Sequence, residues 1–243
     1  MASNGKTEAK RKAPILIVGA GGLGAPALIA LARADCGPLL LVDPDPVELS
    51  NLPRQILYGE ADVGSPKVAV AARRLAALAP GLAVEAVVDR LDERNASSYI
   101  ARAGFVIDAT DDPAAKFLIN DVCVALGRPF VYGGVLGLNG QAMTVTPGAS
   151  ACLRCLFETP PDPADAASCR DAGIVGPIAG AIGALQAAEA MRVASGRRPA
   201  LAGKILTLDG SRTGRIRLTP IAARPGCACG AARAPVSAAD AAP

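Results

Sequence analysis

Six polar side chains follow a glycine-rich turn at spacings that could bring them together: Asp43, Asn51, Arg54, Gln55, Lys67 and Asp111. Two are cations, two are amides and two are acids. Guanidinium and ammonium groups neutralise phosphate charge, and a carboxylate can hold a divalent cation. Around one glycine loop, this mixture suits a nucleoside triphosphate with Mg2+ better than a dinucleotide. The plainer reading is an ordinary solvated polar rim. A second set is built of sulfur. Cys152-x-x-Cys155 and Cys227-x-Cys229 are close pairs from distant segments, and four thiolates make a tetrahedral structural zinc site. The plainer reading there is two lapsed half-sites. Cys169 stands apart in a Pro/Asp/Ala-rich segment, Glu158 to Gly173, while Cys36 and Cys123 read as small core residues.

The elements that must position these groups begin at Pro14. Ile15 to Val18 is a continuous apolar run, followed by Gly19-Ala20-Gly21-Gly22-Leu23-Gly24, an Ala/Leu-rich helical stretch, and a second apolar run from Leu39 to Val42. This predicts strand, glycine turn, helix, strand, with Asp43 at the carboxyl end. Gly19 permits the tight turn, Gly21 lets a phosphate approach the backbone, and Gly24 lets helix and strand pack closely. The helix N-terminus offers N–H groups to an anion, and Asp43 stands where a carboxylate bonds ribose hydroxyls.

A long polar loop, Pro44 to Gly64, contains Ser50-Asn51-Leu52-Pro53-Arg54-Gln55; loops of this length inside a domain are usually functional. Ser65, as N-cap, and Pro66 open a helix reaching about Leu78. Strands at 83–88 and 105–108 and helices near 95–101 and 113–127 follow. This alternation predicts a parallel doubly wound sheet. The pattern then changes to strands at 130–136 and 141–146 joined by Gly-Leu-Asn-Gly, a short cysteine knuckle, an apolar and therefore buried helix at 176–194, and strands at 205–208 and 215–218. The expected fold class is α/β: a Rossmann-like parallel sheet continued by a mostly antiparallel half, in a single domain. The expected divisions are a flexible N-terminus at 1–13, a nucleotide-binding half at 14–128, a second half with the knuckle at 129–229, and a disordered tail at 230–243.

Composition narrows the chemistry. The 243 residues contain no histidine and no tryptophan. Ser-His and Cys-His nucleophile pairs and histidine metal ligands are therefore excluded. A net charge of +3 leaves no electrostatic footprint for nucleic acid. No apolar run reads as a membrane span and the polar N-terminus has no signal-peptide core, so no membrane partner and a cytoplasmic location are expected.

Taken in order, GAGGLG, LVDPD, SNLPRQ, DVGSPK and ATDD, then LRCLFETPP, CRDAGIVGP and GALQAAEAMR, make the chain similar to the ThiF/MoeB/HesA family over roughly Pro14 to Gly230. These proteins are bacterial relatives of ubiquitin-activating enzymes. The resemblance implies adenylation of the C-terminal glycine of a small ubiquitin-like sulfur carrier (MoaD/ThiS-like, ending in Gly-Gly), with MgATP consumed and pyrophosphate released. It also implies a homodimer. Carried over by position, Gly22 would lie on the nucleotide and Asp43, with Asp45 beside it, at the ribose. Ser50, Asn51, Arg54, Gln55 and Lys67 would line the triphosphate, and Asp111 would hold Mg2+. In some relatives a cysteine at the place of Cys169 links covalently to the carrier.

The chain departs from the family pattern at several points. CACG at 227–230 replaces a second CxxC. TDN becomes TDD, so Asp112 adds negative charge near the phosphates. The usual arginine of the following helix is Lys116. The family's N-terminal RYxRQ-type motif is absent, with Lys10, Arg11 and Lys12 standing before the first strand. No rhodanese domain follows, so an external sulfur donor is expected. Two other classes compete. An NAD-dependent oxidoreductase would explain the glycine turn and Asp43 but not SNLPRQ, Lys67 or the cysteines. An adenylation-deficient partner-binding relative would explain the missing arginine motif.

Overall fold

Short continuous apolar runs become the parallel strands, because a strand covered on both faces leaves no room for polar alternation. β1 (Ile15–Val18), β2 (Leu39–Val42) and β4 (Phe105–Asp108) are buried along their length, while β3 (Val84–Val87) is more exposed at the sheet edge. A computed structural model describes residues 13–161, 173–211 and 215–231. Cys169, the cations Lys10, Arg11 and Lys12, and nearly all of the expected flexible N-terminus and tail lie outside the described residues.

The strand order is β3-β2-β1-β4-β5-β6-β7-β8, one eight-stranded sheet. The pairings from β3 through β5 (Phe130–Leu136) are parallel, and those with β6 (Asn139–Val145), β7 (Lys204–Asp209) and β8 (Arg215–Pro220) are antiparallel. The expected architecture is therefore present. Its hairpin is tighter than the sequence suggests. Leu136 pairs with Asn139, so the turn is Gly137-Leu138 and Asn139 and Gly140 already belong to the strand. Gly137 supplies the left-handed conformation the turn needs, with φ +55.

Helices cover both faces. One apolar cluster joins α1 (Gly24–Arg33), α2 (Lys67–Leu78) and α6 (Gly176–Ala194) to the sheet. The other joins α3 (Ala96–Arg102) and α4 (Pro113–Ala125) with the short turns α5 (Leu153–Leu156) and α7 (Ala228–Ala231). Leu16, Ile17, Leu40, Leu41, Ile107 and Phe130 are fully buried, each worth roughly 1.5–3 kcal/mol of transfer free energy. The expectation of a helix buried all round fails for α6. It buries Ala179, Ile182, Gly183, Gln186, Ala187, Glu189 and Ala190 but exposes Pro177, Ala181, Ala184 and Ala188. Small apolar side chains expose little surface, so that face is tolerated in water. No described helix is long and apolar enough to cross a membrane.

Candidate functional site

β1 lies between β2 and β4, and the chain leaves the sheet in opposite directions there. Such switch points open a crevice at the carboxyl ends of the strands. The glycine turn occupies it. Gly19 has φ +97, and a Cβ on Gly24 would fall 2.0 Å from the Gly19 carbonyl oxygen, so only glycine allows this close return of the helix. Asp43 locks the turn from the next strand. Its carboxylate accepts the Ala20 N–H at 2.7 Å and the Asp45 N–H at 2.8 Å. The Tyr58 hydroxyl donates to the Ala20 carbonyl at 2.8 Å. Burial pushes the Asp43 carboxyl above its ordinary value, against the pull of the Ala20 N–H and the Lys67 charge. Each Asp43 oxygen still has lone-pair capacity for a hydroxyl donor.

Lys67 is the unexpected feature of α2. The helix starts at Lys67 with Pro66 as N-cap, one position later than Ser65 would have set it. An ammonium in the first turn opposes the helix dipole, and a buried one is costly unless paired. Yet Lys67 is 5% exposed. Asp45 holds it, with the ammonium 3.0 Å from Oδ2 and the Lys67 N–H on the Asp45 carbonyl. The fold thus stores a cation whose charge acts on Asp43, against local preference.

The long loop is ordered by its own polar groups. Glu48 accepts from Asn51 Nδ2 at 3.1 Å and from the Ser50 hydroxyl at 3.4 Å. Asn51 Oδ1 in turn receives Arg54 at 2.7 Å, and Arg54 also donates to the Ser50 carbonyl at 3.2 Å. Arg54 reaches the glycine turn: its Cγ is 3.8 Å from where a Cβ on Gly22 would stand. Gln55 is 4% exposed and packs over Gly21, and its Oε1 has no hydrogen-bond partner. A buried amide oxygen left unpaired beside a glycine loop fits a crevice that receives a polar ligand. Asp62 fastens the loop to α2, accepting the Gly59 N–H at 2.9 Å and pairing with Arg73 and Arg74.

Asp111 is exposed, and its carboxylate makes no hydrogen bond or ion pair among the described residues. Asp112 differs. Its carboxylate caps α4 by accepting the Ala114 N–H at 3.1 Å.

The cysteines meet elsewhere, against the far end of α4. Cys152, Cys155, Cys227 and Cys229 place their sulfur atoms within 4.8 Å of one another, so the shortened CxC still completes the cluster. Burial pushes the Cys152 thiol up to about 11, whereas at Cys155 burial is outweighed by backbone hydrogen bonds, that of Arg224 first, together with those of the Cys229 and Cys227 thiols, which bring it down to about 7. Four converging sulfur donors suit zinc. Arg154, within the first pair, forks onto Asp121 at 2.7 Å, and the Leu153 N–H donates to Asn120 at 2.9 Å.

Sequence reasoning passed over Glu48, Asp45 as the partner of Lys67, and Asp108, the fully buried acid closing β4. An acid ending an apolar strand was the available signal for Asp108.

The chain belongs to the ThiF family, whose model matches residues 2–229. It is 41% identical over 217 residues to the sulfur carrier protein adenylyltransferase of Thermus thermophilus, covering 87% of this chain and 80% of that one. It is 39% identical over 213 residues to the adenylyltransferase and sulfurtransferase MOCS3 of Arabidopsis thaliana, covering 88% of this chain but 46% of that protein, so it spans about half its length. Among solved structures, E. coli MccB with ATP superposes with a TM-score of 0.78 at 22% identity, covering 90% of this chain and 67% of that one, a likeness of fold.

Proposed function

We propose that this chain adenylates the C-terminal glycine of a small ubiquitin-like sulfur carrier of the MoaD/ThiS kind, preparing it for thiocarboxylate formation. In this reading the carrier's carboxylate oxygen attacks the α-phosphorus of ATP. A carboxyl–phosphate bond forms, the bond from the α-phosphorus to the bridging oxygen breaks, and pyrophosphate leaves. Such a displacement needs alignment and charge neutralisation more than a general base, which suits a chain without histidine.

Asp43 would take the ribose hydroxyls. Arg54 and Lys67 would neutralise the phosphates, with Ser50, Asn51 and Gln55 lining them and Gly19, Gly21, Gly22 and Gly24 forming the floor. Asp111 would hold Mg2+, whose positive charge offsets that of the leaving phosphates. The four clustered cysteines would hold zinc as a fold-supporting ion. Residues 14–128 would serve the nucleotide and 129–229 the carrier. A second copy of this chain would cover the exposed alanines of α6 together with Ile216 and Leu218, 61% and 52% exposed on the same sheet face. Sulfur would come from an external donor, and the enzyme would work in the cytoplasm.

The observation carrying the reading is Lys67, a buried cation at a helix start whose charge acts on Asp43, the residue that locks the glycine turn. The test is ATP–pyrophosphate exchange that depends on a Gly-Gly-tailed carrier. Hydride transfer with NAD and no exchange would overturn it in favour of an oxidoreductase. Binding of ATP and carrier without exchange would make the chain an adenylation-deficient relative.

A further inference from the structure

β4 and β5 run side by side as far as Asp108 and Tyr132, and there they part. From Gly133 onward β5 pairs with β6 alone. Lys116 fills the fork. Its ammonium lies 3.3 Å from both Asp108 oxygens and 2.6 Å from the Gly133 carbonyl oxygen, and over the Tyr132 ring at 5.0 Å. Asp108 is fully buried. The same carboxylate accepts the Thr110 N–H at 3.1 Å and the Thr110 hydroxyl at 2.7 Å, and the Asp108 carbonyl takes Gln186 Nε2 at 2.6 Å. Thr110 adjoins Asp111. The Ala109 carbonyl oxygen sits 2.6 Å from where a Cβ on Gly19 would be, so this turn presses directly on the glycine turn.

Burial, with the Asp108 charge adding to it, pushes the Tyr132 phenol and the Cys123 thiol well up. Both stay neutral, and Lys116 is the countercharge of Asp108 among the described residues. Buried ion pairs are poor stabilisers, since well-packed apolar replacements often do as well. The hydrogen-bonding of this pair has a different consequence: it joins the turn carrying Asp111, the first turns of α4 and the departing strand β5.

We propose that Asp108 and Lys116 are positioning residues for the nucleotide. Their ion pair holds the Ala109–Asp112 turn, and with it the Asp111 carboxylate, in register with the glycine turn. This rests on the adenylation reading. The test is equilibrium titration with a non-hydrolysable ATP analogue and Mg2+, beside thermal melting. The double variant Asp108→Asn/Lys116→Met leaves no unpaired buried charge. It should melt near the parent yet bind the analogue about tenfold or more weakly, because small displacements of positioning groups are amplified at the site. In the exchange assay its KM for carrier should hold while its KM for ATP rises. Lys116→Arg, which keeps a cation, should recover most of the affinity that Lys116→Met loses.

A double variant that binds the analogue as the parent does would overturn the proposal. So would variants whose melting falls while the folded fraction keeps parental affinity, since the pair would then be only structural. A parent chain that binds no ATP analogue would overturn the adenylation reading and this proposal together, an outcome distinct from the other two.

Discussion

Lys67→Met separates catalysis from folding. Methionine keeps most of the buried apolar stem and removes only the ammonium. Two effects on stability oppose each other. Asp45 loses a partner 3.0 Å away. The Lys67 side chain is only 6% exposed, but that of Asp45 is 51% exposed and water replaces the ammonium there, so the loss stays near that of a surface pair, about 0–1 kcal/mol. Removing a cation from a helix N-terminus returns roughly 0.3–1 kcal/mol. The net change is within about 1 kcal/mol, or a melting shift of about 2–4 °C for a chain of this size. The effect on reaction is far larger. A unit charge about 4 Å from another is worth roughly 4 kcal/mol at an effective dielectric of 20. Losing one preorganised charge from a transition state typically lowers the rate about 10²–10³-fold. Carrier-dependent exchange of labelled pyrophosphate into ATP, beside a melting curve, measures both quantities. Exchange within about threefold of the parent, at unchanged melting, would refute the role of Lys67.

Arg54→Ala and Asp111→Ala should each lower exchange by roughly a hundredfold or more with melting preserved, since neither lies in the core; near-parental rates in both would show the site is misplaced. Freshly purified protein should contain one zinc per chain, and Cys227→Ser should melt many degrees lower, because structural zinc contributes folding free energy directly; elemental analysis well below one equivalent would count against the cluster as a metal site. Cys169→Ala should retain exchange but slow carrier thiocarboxylate formation, and an unchanged yield and rate would make that thiol incidental. The Gly59 N–H, aided by Arg74 and Arg73, outweighs burial and holds the Asp62 carboxyl below its ordinary value of 3.8. Its stabilisation is therefore present above pH 3.8 and lost as the pH falls through the folded-state value. The urea-midpoint difference between parent and Asp62→Asn should narrow from pH 7 toward pH 3, and a constant difference would contradict this.

The parallel strands, the glycine turn and the two cysteine pairs were legible in the residues because their signals are local. Apolar runs of strand length, a glycine spacing set by one tight turn, and thiols two or three positions apart each follow from chain geometry over a few residues. Asp43 was legible for the same reason, since it ends the strand next to the turn. The hairpin boundary was not. Asn139-Gly140 is the stronger turn signal as sequence, yet Leu136 pairs with Asn139, so the turn falls at Gly137-Leu138. The exposed alanine stripe of α6 was hidden because an all-apolar helix carries no pattern saying which side meets the sheet. The partners of the polar groups were beyond reach altogether. Lys67 meets Asp45, Arg154 meets Asp121, and Lys116 bridges Asp108 to the Gly133 carbonyl only after distant segments stack in one register. Whether a charge is stored, paired or left open to a ligand depends on what burial brings beside it, and burial is a property of the assembled layers.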